Sequence, residues 1–366
     1  MIPLLIDLES EWRGGQNQFF LLLKGLYERG RAAELLTAQG SLLGHRAAKA
    51  GICVHYTSRE KLRLPAAGKI RRLMSDGRFD LVHVNESHAL SAAWLARAHR
   101  RVPLLISRRV GYPIGKNYFS RARFGAAARI IANSQWVAEQ AVASGAPRDK
   151  LTVIYEGVEI PRAVTPESRS AARKRWNVSE NEQLLGCAGV LLQDKGQEWV
   201  IRALAKLRSE FPKCQLLLAG DGVYRPELEK LTTKLALGDA VIFAGFVREI
   251  DLVYRALDVF VFPALFEGLG TSLLAAMAHG VPSVTYFGCA LAEIVENEKS
   301  GVQVAPRDPD ALAIALGRIL RDSGYASSLG MAGRKRIEEV FSADRMVENT
   351  LGVYREVCSR TTSTEP

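Results

Sequence analysis

The chain lacks both common glycine signatures for phosphate: no G-x-G-x-x-G and no G-x-x-x-x-G-K-[ST] occurs in its 366 residues. Their absence argues against a dinucleotide oxidoreductase and against a P-loop NTPase. Cysteine is sparse. Cys53, Cys187, Cys214, Cys289 and Cys358 lie far apart with no C-x-x-C pair, which argues against a disulfide framework or a zinc site and suits a reducing cytoplasm. No apolar run approaches membrane-spanning length, and residues 1–6 are too short for a signal-peptide core before Asp7 and Glu9 interrupt them. The one D-x-D, Asp308-Pro309-Asp310, precedes a helical pattern at 311–320 and reads as an N-cap rather than a metal-ligand pair. No metal and no cofactor are expected.

Acid is scarce in one half. Residues 1–160 hold 24 Lys+Arg against 13 Asp+Glu, a net +11, whereas residues 161–366 hold 25 against 26, a net −1. A basic face of that kind attracts nucleic acid, an anionic membrane or a phosphorylated acceptor, and sign alone does not choose. Two stretches concentrate it. Residues 59–78 mix seven basic residues with Leu62, Leu64, Ile70, Leu73 and Met74, a composition that suits a membrane-surface helix broken near Pro65. Residues 116–129 set Tyr118, Phe119 and Phe124 among Lys116, Arg121, Arg123 and Arg129; they suit an interface anchor or a core-facing helix.

What the sequence does contain is order. At 366 residues, 48% of them hydrophobic, two compact domains are expected. Short apolar runs at 3–6, 35–38, 52–56, 81–84, 104–107, 130–133 and 153–155 alternate with helical patterns. The alternation restarts after Pro161, with runs at 184–188, 215–219, 241–244, 259–262, 282–286 and 302–304. The spacing predicts an α/β fold of two doubly wound parallel sheets, with domains at 1–160 and 161–343 and a last helix at about 344–358 packing back on the first. Ligands of such sheets bind beyond the carboxyl ends of the strands, so two facing domains would form a cleft.

Glycines gather at those ends. Gly14 and Gly15 follow the first run and precede an apolar helix, where N–H groups can meet a phosphate. Gly189 opens a loop that ends at Lys195, a point charge for pyrophosphate, and Gly220 and Gly222 form a third turn on the same rim. Most informative is FEGLGTSLLAAMAHGVPSV at 266–284. Gly268 and Gly270 admit a ligand to the backbone ahead of a helix N-terminus, and Glu267 suits the hydroxyls of a sugar attached to that phosphate. Asn85-Glu86-Ser87-His88 and Arg108-Arg109 follow runs of the first half and lie on its rim, where Arg109 suits an anionic acceptor or the diphosphate. His88 reads as an acceptor-side or helix-capping residue, and the other five histidines as structural.

These residues resemble the retaining GT-B glycosyltransferases of family 4, the group 1 class, nearly end to end. The resemblance is carried by the Gly-Gly loop, residues 132–159, Lys195-Gly196, Gly220-Asp221-Gly222, FAGFV at 243–247 and, most specifically, FEGLGTSLLAAMAHGVPSV. It implies that Glu267 touches the donor sugar, that the backbone at Gly270, Thr271 and Ser272, with Gly268 and Leu269 before it, receives the pyrophosphate with Lys195, and that Phe246 and Val247 lie against the nucleobase. It also implies a nucleotide-diphosphate sugar as donor, with no metal. The acceptor would be a hydroxyl of a glycan, lipid-linked or lipopolysaccharide-like molecule, and no nucleic acid would be involved. The chain would work in the cytoplasm or at the inner face of its membrane.

Three positions depart from the family pattern. Ala275 stands where a second glutamate holds the donor ribose, Val190 where an arginine often shares the phosphate charge, and Glu156 where asparagine precedes Gly157. Arg13 or Arg109 could replace the missing arginine, and the change at Glu156 reads as minor. A sugar-nucleotide epimerase on the same fold and a non-catalytic sugar-nucleotide-binding protein are the alternatives.

Overall fold

The structure is a computed structural model that describes residues 1–58, 63–115 and 117–362. The chain divides into two compact units, Met1–Gly157 with Ala343–Pro366, and Val158–Ser342. The division falls three residues before the expected 160. Val158 bridges Ser342 and its N–H donates to Phe341 O at 2.9 Å, so the second unit begins and ends on one ladder.

In the first unit β1 (Pro3–Asp7), β2 (Glu34–Ala38), β3 (Cys53–Thr57), β4 (Leu81–Val84), β5 (Leu104–Arg108), β6 (Arg129–Ala132) and β7 (Leu151–Val153) form one parallel sheet in the order β3-β2-β1-β4-β5-β6-β7. Helices cover both faces, so β1 and β4 are buried at every residue, which is why these runs are apolar without alternation. β7 corrects the expected 153–155: residues 151–153 pair with β6, and only the Ile154 N–H continues the ladder. The final helix, Ala343–Thr362, lays Met346, Val347, Leu351 and Tyr354 against Phe19, Leu22 and Leu26 of the helix Gly14–Glu28. A Cβ on Gly25 would stand 2.5 Å from Val347, so glycine is what lets these two helices approach.

The second unit repeats the plan with β8 (Leu184–Ala188), β9 (Gln215–Ala219), β10 (Val241–Gly245), β11 (Val259–Phe262), β12 (Ser283–Tyr286) and β13 (Val302–Val304), in the order β10-β9-β8-β11-β12-β13. Each order reverses direction once, at β1/β4 and at β8/β11. A doubly wound sheet opens a crevice at that point, beyond the carboxyl ends of the two strands. In the second unit the loops beside the reversal are 189–196 and 263–270.

Two expectations about surface stretches change here. Residues 59–62, including Leu62, lie outside the described residues. Pro65 does not break a helix but sits in the first turn of Leu64–Leu73, where its missing N–H costs nothing. Ile70, Leu73 and Met74 are buried in the core of the first unit, so this stretch spends its apolar face internally, leaving Leu64 exposed. In the second stretch Lys116 lies outside the described residues, Phe124 packs on that core, and Tyr118 and Phe119 stand exposed.

Candidate functional site

Lys195 and Glu267 come together at the β8/β11 reversal. The ammonium Nζ donates to Glu267 Oε2 at 2.7 Å, with each side chain about a quarter exposed. Lys195 ends a short 3-10 turn, Gln193–Lys195, and Gly196 follows in left-handed conformation with the Pro263 carbonyl 2.2 Å from where a Cβ would sit. Any side chain there would push the lysine loop away from the β11 loop that carries Glu267.

Beside the pair the helix Thr271–Ala278 begins, with Gly270 as N-cap at φ +97°. Its first intrahelical bonds run from Leu273 and Leu274 to Gly270 O, which leaves the Thr271 and Ser272 N–H groups without an acceptor among the described residues, at a positive helix end. A carboxylate, an ammonium and two free amides are a ligand set for a polyol joined to an anion. Leu269 turns its side chain into the core at 1% exposure, so only its backbone faces the donor side of the loop. Cys289 Sγ, which sequence reasoning passed over, lies near the Glu267 N–H; burial pushes its thiol up.

The other glycine turns do a different job from the one expected. At Gly220, φ +141°, a Cβ would come within 1.9 Å of Gly189 O, and at Gly222 within 2.3 Å of Leu191 O. Gly189 N–H donates to Ala219 O, Gly220 N–H to Gly245 O, and Gly222 N–H to Asp221 Oδ1. These amides are spent. The glycines let the loops after β8 and β9 touch, and so shape the rim rather than donate to a phosphate. Phe246, 85% exposed after β10, projects from that rim beside the half-buried Val247.

In the first unit Gly14 and Gly15, expected to precede the helix, are the first two residues of the helix Gly14–Glu28. Beneath them is a buried polar network that the sequence reading missed. Asp7, fully buried, accepts from Gln16 Nε2 at 2.9 Å, from Glu9 N at 3.0 Å and from Asn85 Nδ2, and burial pushes its carboxyl upward. A signal was available: an aspartate closing an otherwise apolar central strand needs buried partners. Arg109 is not a free cation. Its Nε donates to Glu156 Oε1 at 2.5 Å and its NH1 to Asn85 Oδ1, so it belongs to this network. Glu156 is 6% exposed, and its change from asparagine is therefore not minor. Arg13 is paired with Glu11.

His88 sits in the exposed first turn of the helix Ser87–Leu95, its Nε2 3.5 Å from Glu9 Oε1 and its Nδ1 against Arg63. The cap of that helix is Glu86, which accepts from His88 N, Ala89 N and Leu8 N; burial and the neighbouring Asp7 push its carboxyl to about 8. Asp308 caps its helix as expected, accepting from Asp310 N at 3.0 Å and Ala311 N at 2.9 Å. Among the described residues two groups have metal-ligand spacing, Glu34/Cys53/His55 and Glu9/Glu86/His88. Arg78 and His55 already occupy the Glu34 carboxylate, and both groups belong to the first unit, whereas Lys195 and Glu267 belong to the second.

Two Rossmann-like sheets, the second with a sugar- and phosphate-type ligand set at its reversal, define the GT-B class. Solved structures agree in fold. Anabaena HepE in complex with UDP and glucose superposes with a TM-score of 0.82 over 99% of both chains at 22% identity. A glycosyltransferase from Rickettsia africae gives 0.87 over 97% of this chain and 98% of that one at 20% identity. Two family models cover the chain, Glycosyltransferase Family 4 over residues 12–162 and Glycosyl transferases group 1 over residues 168–336. The chain belongs to the group 1 glycosyltransferases of family 4.

Among curated relatives, an uncharacterized glycosyltransferase of Methanocaldococcus jannaschii is 34% identical over 57% of this chain, a match that spans 55% of that protein. A GDP-mannose-dependent alpha-(1-6)-phosphatidylinositol monomannoside mannosyltransferase of Mycolicibacterium smegmatis is 29% identical over 73% of this chain and 74% of its own length. A lipopolysaccharide core biosynthesis mannosyltransferase of Rhizobium meliloti is 28% identical over 56% of this chain.

Proposed function

We propose that the chain transfers a sugar from a nucleotide-diphosphate donor, bound by the unit Val158–Ser342, to a hydroxyl of a glycan or lipid-linked acceptor met by the first unit, with retention of configuration. The observation that carries the reading is the Lys195–Glu267 pair at 2.7 Å beside the amides of Thr271 and Ser272, which have no acceptor among the described residues. Without ligand the two side chains satisfy each other. With donor bound, Glu267 accepts from sugar hydroxyls while Lys195 and the two amides take the diphosphate, whose charge grows as the glycosidic bond breaks. Phe246 offers an apolar platform for the base. The acceptor hydroxyl attacks the face the diphosphate leaves and a donor phosphate oxygen takes its proton, so no protein base is required. Countercharge comes from Lys195 and the helix end, and transfer needs no metal. A phosphatidylinositol mannoside and a lipopolysaccharide core among the relatives' acceptors support a lipid-linked acceptor.

The test is a panel of nucleotide sugars with and without lipid-linked glycan acceptors. Acceptor-dependent nucleotide release, lowered at least tenfold by Glu267→Ala in a folded protein, is expected. Release of an epimerised nucleotide sugar without acceptor would reassign the chain to epimerases, and binding without turnover would make it a sensor.

A further inference from the structure

Glu34 opens β2, and Cys53 and His55 stand two residues apart on β3, the edge strand of the first sheet. Alternate residues of a strand share a face, and the parallel register sets Glu34 opposite Cys53. The three side chains therefore leave one face at the amino end of the sheet, the end away from the Gly14–Gly15 helix entrance. His55 Nε2 lies 2.6 Å from Glu34 Oε2 and 3.8 Å from Cys53 Sγ, and the three atoms fall within 4.8 Å of one another. The carboxylate and the imidazole are sheltered, at 13% and 18% exposure, while Cys53 faces solvent. Spacing along the chain argued against zinc; register brings the ligands together.

A thiol, an imidazole and a carboxylate are a donor set for zinc-type ions, whereas calcium and magnesium take oxygen alone. Tetrahedral bonds of about 2.0 to 2.3 Å hold neighbouring ligand atoms about 3.3 to 3.6 Å apart. The sulfur and nitrogen nearly have that spacing already, and the hydrogen bond from His55 to Glu34 has to open by about 0.7 Å. Charge closes as well. Thiolate and carboxylate cancel a dication once the thiol proton leaves, and the neutral imidazole shifts its proton from Nε2 to Nδ1. Arg78 supports the set rather than competing with it: NH1 and NH2 donate to Glu34 Oε1 and Oε2 at 2.6 and 2.8 Å, which fixes the plane of the carboxylate. The group Glu9/Glu86/His88 lacks these features. Glu86 spends both oxygens on three backbone N–H groups, and His88 Nδ1 lies against Arg63.

We propose that Glu34 Oε2, Cys53 Sγ and His55 Nε2 form a zinc site, completed by water on the solvent side, that staples the edge strand β3 to β2. The site lies at the opposite end of the first sheet from its crevice and outside the unit that carries Lys195 and Glu267, so it steadies the first unit and takes no part in transfer.

Cobalt(II) titration of the full chain, stripped of metal with EDTA and dialysed, tests it. One equivalent per chain should give the strong visible absorption of four-coordinate cobalt and a thiolate-to-cobalt charge-transfer band, and zinc should bleach both. Zinc should also raise the unfolding midpoint of the parent and slow alkylation of Cys53 by iodoacetamide at least tenfold, leaving Cys289 and Cys358 unprotected. Cys53→Ser should abolish the charge-transfer band, His55→Gln should weaken cobalt binding at least tenfold, and Cys358→Ser and His88→Gln should bind as the parent does. A parent spectrum without the thiolate band, the weak absorption of six-coordinate cobalt, or alkylation of Cys53 at the same rate with zinc overturns the proposal. So does a band that survives Cys53→Ser or vanishes with Cys358→Ser. The parent spectrum and the alkylation rate decide even if a variant fails to fold. Every readout is taken without donor or turnover, so failure here leaves the donor-site reading untouched, and an inactive Glu267→Ala leaves this one untouched.

Discussion

Arg109 Nε and Glu156 Oε1 meet at 2.5 Å although 47 residues separate them, with the arginine one-fifth exposed and the glutamate almost wholly buried. Glu156, which departs from the family pattern, is thus held by an arginine from the rim of β5. Glu156→Gln leaves the guanidinium without its counter-ion and should lower unfolding stability by about 3 kcal/mol. The double variant Arg109→His/Glu156→Asn should recover much of the loss, and a double-mutant cycle from urea unfolding measures the coupling.

Lys195 and Glu267 should behave as a pair in the ligand-free protein and separately with donor. If Lys195 holds the diphosphate as proposed, Lys195→Ala removes one charged contact, about 1.5 to 3 kcal/mol, and donor affinity by calorimetry should fall roughly 10- to 100-fold. Transfer should persist undiminished in EDTA, since the countercharge is part of the chain. Activity abolished by EDTA and restored by manganese would refute that account.

Ala275 lies half-buried one turn after Thr271 on the helix that begins at Gly270. Ala275→Glu returns the carboxylate that family members use on the donor ribose. It should tighten nucleotide-sugar binding about tenfold, the worth of one charge-assisted hydrogen bond. An unchanged dissociation constant would mean that the ribose is held elsewhere.

His83 is buried on β4, with Nδ1 2.7 Å from Tyr354 Oη and Nε2 2.9 Å from Ser107 Oγ. Burial holds its pKa at about 3 against the ordinary 6.5. Below pH 6.5 the unfolded chain takes up a proton that the native state refuses, so the stability due to neutral His83 is lost progressively from there down to about pH 3. The slope is at most about 1.4 kcal/mol per pH unit. Urea midpoints at pH 7, 5 and 4 should fall more steeply for the parent than for His83→Gln.

Gly220→Ala forces a Cβ against the Gly189 carbonyl at a backbone angle that side chains avoid. A loss on the order of 3 kcal/mol is expected, with donor binding reduced in the same variant. Full stability with full binding would show that the rim relaxes freely.

The thirteen strands of the described residues each overlap a short apolar run, plainest where a strand is covered on both faces as β8 and β11 are and displaced by two residues at the half-covered β7, and the motif at 266–284 carried its candidate ligand set within a few residues. What was not legible depends on distance in the chain. Arg109 finds Glu156, and Asp7 finds Asn85, only after β1, β4 and β5 are laid side by side. Gly189 and Gly220 look like phosphate turns until their N–H groups are traced to Ala219 and Gly245. The sequence of 59–78 offered basic and apolar residues together, and only the packing of Ile70 and Leu73 decides which surface they serve.

The contact between Gly189 and Gly220 has a practical consequence for anyone recombining members of this family. Because the two turns fit only glycine against carbonyl, neither can be transplanted alone into a relative whose facing turn is bulkier. Donor preference in chimaeras should therefore travel with residues 189–196 and 220–225 exchanged together, as one heritable cassette.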